Sequence, residues 1–192
     1  MLVTEISTEI SNNDYKKLAA MIYDYCGIRL PEEKKSMVEG RIKKRLREKN
    51  YNRVKDYLNY VNTEEGRAEE FDELVNVLTT NKTDFFREEP HFEFLKSTVI
   101  PEFAESGKPV FELWSSACST GEEPYSLAIL LDELRNSFKM DYSITASDIS
   151  TIVLNKARLG IYTNTDIEGI PEPLRKKYLL KSKTREADIV RI

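Results

Sequence analysis

Three stretches of this 192-residue chain carry residues whose types and spacing could do chemistry. The first is Ser116-Ala117-Cys118-Ser119-Thr120-Gly121-Glu122-Glu123-Pro124. It follows an apolar run at 110–114 and precedes a helical pattern, so it joins a strand to a helix, where a nucleotide-type ligand would lie. Small side chains let a backbone approach such a ligand closely, and Gly121 supplies a tight turn. Two carboxylates do not suit a pyrophosphate: Glu122 and Glu123 would repel it at a helix N-terminus, which otherwise attracts anions. A cationic or neutral nucleoside is favoured. S-adenosyl-L-methionine has a sulfonium, an ammonium and no phosphate, so it fits where NAD does not. Charge alone also allows a simpler role, in which both Glu only complement the helix dipole.

The second candidate is Asp148, 27 residues after Gly121 and just past a second strand pattern. A carboxylate there accepts hydrogen bonds from both ribose hydroxyls; Asp148-Ile149-Ser150 could equally be a helix cap. The third stretch is Thr80-Asn81-Lys82-Thr83-Asp84-Phe85-Phe86-Arg87-Glu88. Phe85 and Phe86 can anchor a loop whose polar residues point elsewhere. Arg87 offers a planar fork suited to a carboxylate such as that of a methionine moiety. Pairing with Glu88 or Glu89 at the surface is the alternative.

These stretches need elements to position them. Ser11 or Asn13 can cap a helix bearing Leu18, Ile22 and Tyr25, stopped at Gly27. Pro31 opens another, with Val38, Ile42 and Leu46 on one face and Asn50 at its end. Val54, Tyr57, Leu58 and Val61, then Phe71, Leu74, Val75 and Leu78, repeat the spacing of a single buried stripe. The spacing predicts an all-α bundle over 1–78. Pro90 starts a further helix that buries Phe92, Leu95 and Val99. The strand at 110–114, a helix from Pro124, a strand at 142–146 and a helix from Ser150 to Gly160 form a βαβα unit. Such units build parallel sheets with ligands at the strands' carboxyl ends. The second domain, 79–192, is therefore read as α/β and Rossmann-like.

Composition sets the outer bounds. Hydrophobic residues make up 40% and charged residues 32%, as expected of a chain with a packed core. No apolar run approaches the roughly 20 residues that span a bilayer, so no membrane insertion is expected. Residues 1–11 carry Glu5 and Glu9 without Lys or Arg, unlike a secretory signal. Cys26 and Cys118 form no metal or redox motif, and the lone His91 argues against a His-ligated metal or a Ser-His-Asp triad. A cytoplasmic location follows as the expectation. The net charge of −4 hides a window at 29–49 carrying +5, which leaves −9 elsewhere. A basic patch on an acidic chain, without interleaved stacking aromatics, points to an acidic partner and not to nucleic acid.

Asn81-Lys82-Thr83-Asp84-Phe85-Phe86-Arg87 is similar to a segment of the chemotaxis receptor (protein-glutamate) O-methyltransferases, the CheR family. Trp114-Ser115-Ser116-Ala117-Cys118-Ser119-Thr120-Gly121-Glu122-Glu123-Pro124-Tyr125-Ser126 resembles that family's cofactor loop almost residue for residue. Ala146-Ser147-Asp148-Ile149-Ser150 and Lys156-Ala157-Arg158-Leu159-Gly160-Ile161-Tyr162 resemble its next strand and helix, in family order and spacing. The resemblance covers most of 14–180. It implies methylation of glutamate side chains on the cytoplasmic signalling region of methyl-accepting chemotaxis receptors, with S-adenosyl-L-methionine as cofactor and no metal. By position, Asn81, Thr83 and Arg87 would contact the cofactor, with Arg87 on its carboxylate and important for activity. Glu123 would take the amino group or an adjacent polar contact, and Asp148 the ribose. Arg41, Lys44, Arg45 and Arg47 would dock the acidic receptor helix.

Family members continue past the position of Ile192, with an asparagine-rich strand end and a tyrosine near the methyl group. The expectation is a fragment or shortened relative, with weak cofactor binding, no methyl transfer by itself and self-association through an exposed sheet edge. The competing reading is a non-catalytic methyltransferase-like module that binds cofactor or partner.

Overall fold

The Ser11 hydroxyl accepts a hydrogen bond from the Asp14 amide and starts α1 (Asn12–Cys26); Gly27, in the left-handed region, ends it. The computed structural model describes residues 9–182 and 188–192. Pro31 leads into a 3-10 turn at Glu32–Lys34, and α2 (Lys35–Glu48) follows without a break. Next come α3 (Val54–Val61) and α4 (Glu64–Leu78), the latter capped by the Thr63 hydroxyl. The first turn of α4, packed on the end of α3, needs glycine. A Cβ on Gly66 would lie 2.0 Å from the Tyr60 carbonyl oxygen. The anticipated stripes meet in one core, except at Tyr25, which is exposed; Leu18, Ile22, Val38, Ile42, Leu46, Tyr57 and Leu74 are fully buried. Each such aliphatic side chain contributes roughly 1.5–3 kcal/mol by leaving water.

Two of the four basic residues assigned to docking have other work in this bundle. Arg41 donates to the carbonyls of Leu78 and Thr79, both at 2.7 Å, and to the Thr80 hydroxyl at 3.1 Å. It thereby satisfies the open carbonyls at the end of α4. Arg45 grips the fully buried Glu70 through both carboxylate oxygens, while Lys49 at 2.8 Å and Tyr57 at 3.0 Å donate to the same group. These half-buried guanidiniums hold α2 to α4. Lys44 and Arg47 lie exposed on the outer side of α2.

The chain divides between Thr80 and Asn81. From Asn81 onward, α5 (Glu89–Phe94), a π-helical turn at Leu95–Val99 and α6 (Ile100–Glu105) run as one helix. Pro101 lacks an amide hydrogen, and the wider π turn just before it absorbs that defect. Then come β1 (Val110–Ser116), α7 (Glu122–Phe138), β2 (Asp141–Ser147) and α8 (Thr151–Leu159). β1 and β2 pair in parallel, from Val110 opposite Asp141 to Ser116 opposite Ser147. Phe111 packs with Ile100, Leu131 and Met140 beneath them. This is the expected βαβα unit, an all-α bundle followed by an α/β, Rossmann-like part.

One element was not foreseen. β3 (Ile161–Thr163), α9 (Glu172–Tyr178), β4 (Leu180–Lys181) and β5 (Ile189–Arg191) build a second sheet, antiparallel, in the order β3-β5-β4. Ile189–Arg191 is its central strand. Phe85, Ile129, Tyr162, Ile167, Ile170 and Val190 form the core under it. Among the described residues, no helix is long and apolar enough to cross a membrane.

Candidate functional site

The loop between β1 and α7 turns back on itself three times. Ala117, Ser119 and Gly121 have φ of 59°, 50° and 101°. Phe86 and Glu88 are also left-handed, at 54° and 59°. The two other non-glycine residues of this kind among those described, Asn50 and Lys139, sit at helix ends, where such a turn is ordinary. The remaining four fall in the two segments singled out for chemistry. Strain held in place by its surroundings marks functional loops more often than structural ones.

What holds the loop is a set of hydrogen bonds that the sequence did not reveal. The Cys118 amide donates to the Ser147 carbonyl at 2.9 Å, at the end of β2. The Ser119 amide donates to Asp148 Oδ2 at 2.8 Å, and the Ser119 hydroxyl donates to the Asn81 carbonyl at 2.8 Å. The Tyr162 hydroxyl donates to the Thr120 carbonyl at 2.7 Å, and the Thr120 hydroxyl bonds to the buried Glu122 carboxylate. The Ser126 hydroxyl accepts from the Phe86 amide at 2.9 Å. Apart from the local Thr120–Glu122 bond, the partners lie 29 to 42 residues apart, which explains why no local pattern betrayed them. The run of Ser, Thr and Tyr hydroxyls around Gly121 was the available signal.

Gly121 makes the tight turn anticipated for it, at a φ of 101°, and the space at its Cα is also needed. A Cβ there would lie 2.8 Å from the Tyr162 hydroxyl and 3.0 Å from the Ala157 Cβ. The absent side chain makes room for α8 and Tyr162. Burial, with Glu122 nearby, pushes the Tyr162 phenol well above its ordinary value, so it stays a hydrogen-bond donor. Burial first and then the Asp148 charge likewise raise the Cys118 thiol.

Of the proposed binding residues, Asp148 and the Asn81 carbonyl are hydrogen-bonded to this loop. Asp148 is half-buried, and its second oxygen accepts from the Ser150 amide at 2.8 Å. Each oxygen carries one backbone hydrogen bond and keeps a lone pair for a further donor. The helix-cap role belongs to Ser150, whose hydroxyl accepts from the Val153 amide, which frees Asp148 for a ligand. Glu123 is exposed in the first turn of α7 and accepts from the Ser115 hydroxyl at 2.5 Å. Thr83 is half-buried. Phe85 is buried against Tyr162, ring centroids 4.9 Å apart, and anchors the segment as anticipated. The Arg87 side chain is 52% exposed; it donates to the Lys82 carbonyl at 3.0 Å and lies 4.0 Å from Glu88. The surface pairing weighed for it is present, and donors on its fork remain for a carboxylate.

An open cleft of about 470 Å³ runs along the β2 face from Asp148 and Ser147 past Ile144 and Tyr142, between Tyr125 and Leu154. Its lining includes Asp148 but none of Asn81, Thr83, Arg87 and Glu123. The loop hydrogen bonds define the site better than this mostly apolar surface does. A nucleoside bearing a sulfonium and an ammonium suits the charged groups proposed for it, carboxylates at Asp148 and Glu123 and a guanidinium at Arg87.

Two family models match the chain. CheR methyltransferase, all-alpha domain, covers 13–79, and CheR methyltransferase, SAM binding domain, covers 81–192. The chain belongs to the CheR methyltransferase family. Curated CheR relatives agree. A chemotaxis protein methyltransferase of Borreliella burgdorferi is 35% identical over 91% of this chain and 63% of its own length. Chemotaxis protein methyltransferase 2 of Pseudomonas aeruginosa is 37% identical, over 95% and 63%. The Escherichia coli chemotaxis protein methyltransferase is 33% identical, over 95% and 62%. The chain thus spans a little over three fifths of the length of these CheR relatives. The cofactor of its second unit is S-adenosylmethionine.

Proposed function

We propose that this CheR family member takes part in transferring a methyl group from S-adenosylmethionine to glutamate carboxylates on the cytoplasmic signalling region of chemotaxis receptors, forming methyl esters. The observation that carries this reading is the convergence of Asp148, the strained loop at 117–121 and the segment at 81–88 at the carboxyl ends of β1 and β2. The bound cofactor supplies an electrophilic methyl on its sulfonium. Asp148 would accept from the ribose hydroxyls, Glu123 would hold the ammonium, and Arg87 would pair with the carboxylate and so help to position the sulfonium. Asn81 and Thr83 add polar contacts beside Arg87. A glutamate side chain, with a pKa of roughly 4.3, is already ionised at neutral pH, so no general base is required. Positioning and exclusion of water provide the acceleration.

The receptor contacts the exposed side of α2 in this reading, chiefly through Lys44 and Arg47. Arg41 and Arg45 contribute field more than contact, since both are engaged with α4. The cytoplasm, where such receptor regions lie, is the corresponding location. The unpaired outer edges of the β1–β2 sheet would be where copies of the chain associate.

The test is transfer of radiolabelled methyl groups to a receptor signalling fragment, with release of label by mild alkali as the mark of an ester. Label that resists alkali would place the methyl on another atom. Cofactor binding without any transfer would favour a module that binds and does not turn over. Lys44→Glu and Arg47→Glu should raise KM for the receptor and weaken its salt dependence, with cofactor affinity unchanged.

A further inference from the structure

Ser119 stands at the centre of the loop and touches both halves of the site. It is buried, with 6% of its surface accessible, and its φ is 50°. That backbone turn aims its amide at Asp148 Oδ2 and its hydroxyl at the Asn81 carbonyl, each at 2.8 Å. The Asn81 carbonyl lies at the start of the segment that carries Thr83 and Arg87. Asp148 has one other bond, from the amide of Ser150, the residue that caps α8. Ser119 is therefore the direct hydrogen-bonded link between the ribose carboxylate and the segment assigned to the methionine end.

We propose that Ser119 is a positioning residue that locks these two halves at a fixed separation, so that a ligand spanning both binds more tightly than its parts would suggest. The inference rests on the reading of Asp148 and the 81–88 segment as the two ends of the cofactor site. A link of this kind acts through preorganisation. With the link present, the segment is already held before the ligand arrives; without it, a spanning ligand must order the segment as it binds. A ligand that touches only the ribose side gains nothing from the link.

Two variants separate the hydroxyl from the backbone turn. Ser119→Ala deletes the hydroxyl and keeps the left-handed strain. Ser119→Gly deletes the hydroxyl and relieves the strain, so it folds at least as readily. Two probes are titrated into each: S-adenosylhomocysteine, which reaches both halves, and 5′-methylthioadenosine, which lacks the amino-acid end. Both variants should bind S-adenosylhomocysteine about three- to tenfold more weakly, the range for one hydrogen bond. Binding of 5′-methylthioadenosine should change less than twofold. Equal weakening of both probes would overturn the proposal, because a merely loosened fold does that. So would wild-type affinity for S-adenosylhomocysteine in Ser119→Gly. Asp148→Ala is the control: if it binds both probes like the wild type, the placement of the site fails and this inference fails with it. Weakened binding in Asp148→Ala beside unchanged binding in both Ser119 variants would overturn the inference alone.

Discussion

Asp148 and Arg87 are presented differently, and their substitutions should read differently. Asp148 is half-buried and oriented by two backbone amides before any ligand is bound. Asp148→Ala should therefore weaken S-adenosylhomocysteine binding by about 1.5–3 kcal/mol, the worth of hydrogen bonds to a charged group. Arg87 is half-exposed, and its guanidinium is shared with the Lys82 carbonyl. Arg87→Ala should fall at the lower end of the same range. Arg87→Lys should recover only part of the loss, because a point charge cannot replace a planar fork. Titration calorimetry measures all three; wild-type affinity in both alanine variants, with the fold intact, would show the site to be misplaced. The sequence displayed these charged residues because a strand-loop-helix frame sets them off from their surroundings. It hid Ser119, Ser126 and Tyr162, whose partners are distant in the chain.

Among the elements, the packing of α2 on α4 depends on one buried carboxylate. Glu70 is fully buried and receives hydrogen bonds from Arg45, Lys49 and Tyr57. Burial alone would raise its pKa; these three donors outweigh burial and hold the carboxyl below its usual range. A carboxyl lowered in the folded state stabilises fully above its unfolded value, about 4.3. That contribution fades as pH falls through the lowered folded value. Urea unfolding should show the helical unit losing stability over that acidic window, and Glu70→Gln should flatten the loss. At neutral pH, Arg45→Ala should cost about 3–5 kcal/mol, because it leaves a buried charge short of its main partner. A change below 1 kcal/mol would mean that Lys49 and Tyr57 suffice. Helix ends such as Ser11, Gly27, Ser150 and Gly160 were legible because caps are local. The β3-β5-β4 sheet was not, since strands of two or three residues are too short to show a period. Nor were the structural roles of Arg41 and Arg45, whose partners lie 37 and 25 residues away.

At the scale of the whole molecule, the two units have separate cores. Ile10 through Leu78 supply one; the clusters around Phe85 and Phe111 supply the other. Ligand at the 117–121 loop should therefore slow hydrogen exchange at the amides of Cys118, Ser119, Gly121 and Ser150, leaving those of α1 to α4 unchanged. Equal protection in both units would reveal a coupling that separate cores do not anticipate. The left-handed residues Phe86, Glu88, Ala117 and Ser119 carry a different consequence for the molecule's history. Each holds a backbone shape that glycine adopts freely and other residues adopt at a penalty of about 1 kcal/mol. Ala117→Gly is thus an accessible route to a more heat-resistant protein, and thermal melting should find it so. A lineage selected for robustness alone would drift toward glycine at these four positions, and the loop would soften as it did. A side chain at any of them therefore keeps the loop stiffer than glycine would, at a cost in stability.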